Sequence, residues 1–193
     1  AGEVGWYTSV ALDGDGKPHI SYYDKTNGDL KCARWTGSGW EVQTVDSAGD
    51  VGLYTSLALD GAGNPRISYY DRTNGDLKYA RRAGSEWIIQ SVDSAGDVGA
   101  YTSLALDRSD DPRIAYYDNS AGGLKYARWI SDRWVTETVQ SGWNVGAHIS
   151  FALDDTGNPH ISFHDAGGRD LRYAAGITVR GRRYLPRITR NVP

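Results

Sequence analysis

The sequence predicts an all-β fold, a β-propeller of four antiparallel four-stranded blades that is either closed into a ring or left as an open arc. Three observations lead there. Val4-Gly5 recurs as Val51-Gly52, Val98-Gly99 and Val145-Gly146, a constant step of 47 residues that fills the 193-residue chain with four units. Each unit alternates short runs rich in Tyr, Ile, Val and Thr with clusters of Gly, Pro, Asn and Asp. The aromatic content is lopsided, 13 Tyr and 7 Trp against 2 Phe, and with 24 Gly it suits strands and tight turns better than helices.

Taking the units in order, Val4 to Asp50 and Val51 to Asp97 share 34 of 47 positions, which marks a duplication. In the second unit four strands read as Tyr54 to Leu59, Arg66 to Tyr70, Leu77 to Arg81 and Trp87 to Val92. Asp60-Gly61-Ala62-Gly63-Asn64-Pro65 separates the first two, with Gly permitting positive φ and Pro unable to donate to a ladder. Asp71 to Asp76 carries Asn74-Gly75, a hairpin signal. Four short strands in each repeat of about 40 to 50 residues is the pattern of a propeller blade.

Radial packing of blades buries both faces of each sheet, which accounts for the adjacent pairs Tyr22-Tyr23 and Tyr69-Tyr70. In a one-sided sheet one member of each pair would face water. Eleven positions are identical in all four units, among them Ser56, Ala58, Leu59, Asp60, Pro65, Ile67, Asp71, Leu77 and Ala80 of the second. Small Ser and Ala on the first strand suit a crowded axis, and Leu and Ile fill the layers between blades.

The run from Leu57 to Tyr70 together with Gly75 to Ala80 resembles bacterial extracellular β-propeller repeats of the type LALD-x-x-G-x-P-x-ISYYD…GDLKYA, a resemblance that covers about 170 residues. The blade period is also similar to that of tachylectin-2 type sugar-binding propellers. The first resemblance implies a secreted or surface propeller without a defined reaction. An opening Ala1-Gly2-Glu3 and the lack of any Met fit the same expectation, an extracellular or cell-surface protein whose signal peptide has been removed.

Residues 1–175 therefore form the repeat body, with units starting at 4, 51, 98 and 145, and residues 176–193 a tail. The fourth unit leaves the pattern after Tyr173-Ala174, where Gly181 takes the place of Trp40, Trp87 and Trp134. The tail has five Arg and no acidic residue, against a body with 16 basic and 24 acidic residues. Its Tyr184-Leu185-Pro186 and Arg190-Asn191 resemble the short YLP…RN tail of some secreted bacterial proteins. The tail either completes the outer strand of its own blade or docks on a neighbouring molecule. Docking would use Arg180, Arg182, Arg183, Tyr184, Arg187 and Arg190 against an acidic face formed by Asp24, Asp29, Asp46, Asp50 and their repeats, and would build homo-oligomeric rings or filaments.

Two functions follow from this reading. One is a non-enzymatic structural module that self-associates through the tail. The other is a multivalent glycan-binding propeller whose stacking residues would be Tyr7, Tyr54 and Tyr101, since this series persists through three units, whereas Trp6 becomes Leu53, Ala100 and Ala147. Catalytic residues are not expected: no nucleophile elbow, phosphate loop or zinc-protease motif occurs, and Asp13, Asp60, Asp107 and Asp154 read as turn-capping carboxylates. No cofactor or metal is expected either. His148, His160 and His164 read as hydrogen-bonded aromatic substitutes and Cys32 as a packing residue in the place of Tyr79. A net charge of −3 gives no support for nucleic-acid binding, and no apolar run is long enough for a membrane span.

Overall fold

A computed structural model describes the backbone of residues 2–142, 144–179, 182–184 and 189–190, and the side chains as far as residue 176. It is all-β, as predicted. The first blade comprises β1 (Val4–Leu12), β2 (Pro18–Asp24), β3 (Asp29–Trp35) and β4 (Trp40–Asp46). The second comprises β5 (Val51–Leu59), β6 (Pro65–Asp71), β7 (Asp76–Ala83) and β8 (Glu86–Asp93). The third comprises β9 (Val98–Leu106), β10 (Pro112–Asp118), β11 (Gly123–Ile130) and β12 (Arg133–Gln140). Each is an antiparallel meander in chain order.

The fourth blade begins with β13 (Val145–Leu153), β14 (Pro159–Asp165) and β15 (Asp170–Ala175). A short hairpin of β16 (Ile177–Val179) and β17 (Arg182–Tyr184) follows, and β18 (Thr189–Arg190) then pairs with β15 through Arg172↔Arg190 and Tyr173↔Thr189. The backbone of Arg190 thus lies at the outer edge of its own blade. Arg182, Arg183 and Tyr184 sit on β17, while Arg180 and Arg187 lie outside the described residues.

Turn chemistry sets the strand limits. In all four blades the Asp that ends the first strand caps the following turn: Asp13 Oδ1 accepts from the Lys17 amide at 2.9 Å, and Asp60, Asp107 and Asp154 repeat the bond to Asn64, Asp111 and Asn158. The Asp that ends the second strand caps the next turn, as when Asp71 Oδ1 accepts from the Asn74 amide at 3.1 Å.

Blades pack face to face, β1 on β5, β5 on β9 and β9 on β13, and among the described residues no comparable packing returns from β13 to β1. The propeller is an open arc. Its apolar layers lie between blades: Leu30, Cys32 and Val45 of the first blade meet Val51, Leu57, Ile67 and Tyr69 of the second, and Leu77, Tyr79 and Val92 meet Val98, Leu104, Ile114 and Tyr116. Two glycines let this approach happen. A Cβ on Gly52 would stand 2.8 Å from Leu30 Cα, and one on Gly99 2.7 Å from Leu77 Cα.

The carboxylates expected to form an exposed acidic face are largely consumed at these seams. Asp46 accepts the Tyr69 hydroxyl at 2.7 Å and Asp93 the Tyr116 hydroxyl at 2.6 Å, both buried, while Lys78 sits 2.7 Å from Asp71 and 3.6 Å from Asp46. Asp50 and Asp97 accept from Tyr23 and Tyr70. Apart from Lys78 and Asp71, which share one hairpin, the partners are 23 to 32 residues apart, a spacing that only the stacking of successive blades brings together.

Candidate functional site

Each inner strand opens with a bulge. The β1–β2 ladder shifts register between Val4 and Trp6 and again between Trp6 and Ser9, and the β5–β6 ladder does the same between Val51, Leu53 and Ser56. Gly5, Gly52, Gly99 and Gly146 take positive φ in these bulges, and two residues later so do Tyr7 (φ 54°), Tyr54 (φ 54°), Tyr101 (φ 53°) and His148 (φ 53°). A left-handed backbone costs an L residue with a side chain about 1–2 kcal/mol. The cost is borne at the same place in every blade.

Its consequence is a continuous aromatic row. Ring centroids of Tyr7 and Tyr54 are 4.5 Å apart, Tyr54 and Tyr101 4.6 Å, and Tyr101 and His148 5.0 Å. A second row, Tyr23, Tyr70, Tyr117 and His164, flanks the first at 6.1–6.3 Å. The structure therefore brings Tyr7, Tyr54 and Tyr101 together and adds His148 to the series. Tyr7 is 37% exposed, and the other two tyrosines are partly buried. Burial, reinforced by the Tyr101 and Tyr7 hydroxyls, holds the Tyr54 phenol well above the usual range.

Against this row lies a cavity of about 360 Å³, lined by the three tyrosines with Tyr70, Tyr117, Arg72, Asn119 and Asn144. Its volume is at the lower end of small-ligand pockets, about 300–1,000 Å³. Arg72 pairs with Asp50, and Asn119 donates to Asp97 at 3.0 Å. Apolar ring faces and fixed amide and guanidinium groups thus share one concave surface. Among the described residues the carboxylates nearest it, Asp50 and Asp97, are held by these lining side chains.

A second cavity, about 310 Å³, opens between the outer parts of the first two blades and is lined by His19, Cys32, Arg34, Gln43 and Arg82, among others. His19 is buried, its Nε2 is 3.7 Å from Asp13, and neither ring nitrogen has a hydrogen-bond partner among the described residues. Burial, followed by the Arg34 charge, lowers its pKa and so favours the neutral ring. Burial pushes the Cys32 thiol up to about 11, which makes it an inert packing group at neutral pH. This cavity was not foreseen, because Gln43 and Arg82 meet only across a seam, where Arg82 donates to Gln43 at 2.6 Å. Of the remaining histidines, His160 contacts the Tyr173 hydroxyl and His148 lies beside His164. Among the described residues no group of three His, Cys, Asp or Glu is placed to hold a metal, and no helix is long and apolar enough to cross a membrane.

Neither the family models nor the curated proteins contain a match to this chain. Solved structures do share its fold. SapL1 lectin in complex with α-methyl fucoside superposes with a TM-score of 0.66 at 14% identity, over 94% of this chain and 62% of the lectin. A protein of unknown function from Dyadobacter fermentans DSM 18053 gives 0.67 at 10%, over 97% of this chain and 69% of that one. The Hadza microbial sialidase Hz136 gives 0.65 at 15%, over 99% of this chain and 47% of the sialidase. At such identities the likeness is one of fold. The chain spans less than two thirds of the lectin's length.

Proposed function

We propose that this protein is a non-enzymatic glycan-binding propeller acting outside the cell or at its surface, with the tyrosine row as its stacking platform. The observation that carries this reading is the left-handed backbone repeated at Tyr7, Tyr54 and Tyr101. Strain kept in every blade aims aromatic faces into one groove, and strained backbone clusters at functional sites. Aromatic rings present apolar faces to the C–H side of a sugar, while Arg72, Asn119 and Asn144 offer donors and acceptors to its hydroxyls. The fold shared with a fucoside-bound lectin agrees with this reading. A glycan array spanning neutral and acidic saccharides tests it, with Tyr54→Gly as the matched variant.

Self-association is a second reading, with a specific observation behind it: the outward face of the first blade is apolar and uncovered. The tail side chains first assigned to it, from Arg180 to Arg190, are not among those described. The blade faces themselves supply a different route.

A further inference from the structure

The two ends of the arc are complementary. On the first blade Val4 is 55% and Val10 63% exposed, where their counterparts Val51 and Leu57 are 0% and 7% exposed beneath the preceding blade. On the last blade Leu171 is 52% exposed, where Leu30, Leu77 and Leu124 are fully buried. Each of those three leucines packs on a glycine of the next blade, Gly52, Gly99 or Gly146, so closely that a Cβ there would stand 2.7–3.0 Å from the leucine Cα. Gly5, the equivalent glycine of the first blade, faces open space. One end has a leucine without its glycine, and the other a glycine without its leucine.

Polar groups repeat the pattern. Across the first seam Thr55 donates to Ser21 at 2.7 Å, and across the second Thr102 donates to Ser68 at 2.8 Å. At the third seam both partners change together, to Ile149 and Ala115. The buried tyrosine-carboxylate pair changes there in the same way, from Tyr69-Asp46 and Tyr116-Asp93 to Phe163 and Gln140. Seam partners in this chain are thus replaced in matched sets. At the free ends the hydroxyl pair is intact, Thr8 on the first blade keeping the donor and Ser162 on the last the acceptor, while the tyrosine-carboxylate pair keeps Tyr22 but has Arg187 at the carboxylate position. Ser9 and Ser56 accept from the Leu57 and Leu104 amides of the next blade, and Ser150 stands ready to accept from the corresponding Val10 amide.

We infer that the first blade of one molecule docks on the last blade of a second copy, and the reverse, so that two arcs close one propeller. Leu171 then covers Gly5, Ser162 meets Thr8, and His164 approaches Glu3, which occupies the position of the tyrosine acceptors Asp50 and Asp97. Two copies make eight blades, within the range of about four to eight that propellers adopt. The interface is heterologous, and its two-fold repetition makes it closed. It does not depend on glycan binding.

The experiment joins a mass measurement to a cross-link. Light scattering of the purified chain at micromolar concentration is expected to give twice 21.1 kDa. The two hydroxyls at the equivalent seam are 2.7 Å apart, so sulfur atoms in the same two places would be neighbours, and the double variant Thr8→Cys, Ser162→Cys should oxidise to a covalent dimer that neither single variant forms. If the double variant fails to fold, Leu171→Lys, which adds only a solvent-facing charge to the monomer, should halve the mass of the assembly. A folded chain of 21.1 kDa, an internal disulfide within one molecule, or a larger species indifferent to Leu171→Lys would overturn the inference.

Discussion

The phenol of Tyr69 crosses from the second blade to donate a 2.7 Å hydrogen bond to the buried carboxylate of Asp46 in the first. Tyr116 does the same to Asp93, and Lys78 and Lys125 neutralise the acids from the adjoining strand. The seams between blades are therefore polar as well as apolar. A bond to a buried charge is worth about 1.5–3 kcal/mol. Tyr69→Phe should lose that much in urea denaturation. Tyr22→Phe, whose hydroxyl lies at the open end without such a bond, should stay within about 0.5 kcal/mol of the parent.

Gly52 and Gly63 separate sterics from conformation. Both hold positive φ, +101° and +79°, yet a methyl group on Gly52 would meet Leu30 Cα at 2.8 Å while one on Gly63 meets nothing within 4 Å. Gly63→Ala should cost only the backbone term, about 1–2 kcal/mol. Gly52→Ala should cost about 3 kcal/mol or more, because a backbone neighbour must move inside a packed layer. Thermal unfolding of the two variants side by side checks the order.

Tyr54 offers an inversion of the usual substitution ranking. At φ 54° an alanine retains the left-handed penalty that glycine escapes. Tyr54→Gly should therefore be more stable than Tyr54→Ala by about 1 kcal/mol, although it removes one more carbon. The opposite order in chemical denaturation would remove the strain argument on which the candidate site stands.

The seam tyrosines also set an alkaline limit. Burial, followed by the hydrogen bond to Asp50, pushes Tyr23 up to about 12, and burial raises Tyr69, Tyr70 and Tyr116 as well. In the unfolded chain these phenols ionise near about pH 10. Above that the unfolded state binds fewer protons than the folded one, so stability is complete below about pH 10 and falls as pH rises toward the folded values. Denaturation midpoints should be flat from neutrality to about pH 9.5 and drop steeply beyond, with tyrosinate absorbance appearing together with unfolding.

Much of this was legible in the residues. The 47-residue period, the Asp-Gly and Asn-Gly turns and the paired tyrosines specify four-stranded blades, since each depends on neighbours close in sequence. Asp60 and its repeats are the turn caps their spacing suggests. The fate of Asp46 and Asp93 was not legible, because a carboxylate reads as exposed until the blade that covers it is placed. The outer strand of the last blade shifted for a similar reason: an inserted hairpin carries the pairing from the position of Gly181 to Thr189 and Arg190. The tyrosine series could be seen in the repeats. Its left-handed backbone could not, for β-rich patterning gives no sign that Tyr rather than Gly takes positive φ.

The most direct measurement is a saccharide-binding titration of the folded chain beside Tyr54→Gly, begun from whatever glycan class an array selects. The account predicts binding that weakens about tenfold or more in the variant, a loss of at least about 1.4 kcal/mol, with the fold retained. Failure to bind across neutral and acidic glycans, or binding indifferent to Tyr54, would contradict it.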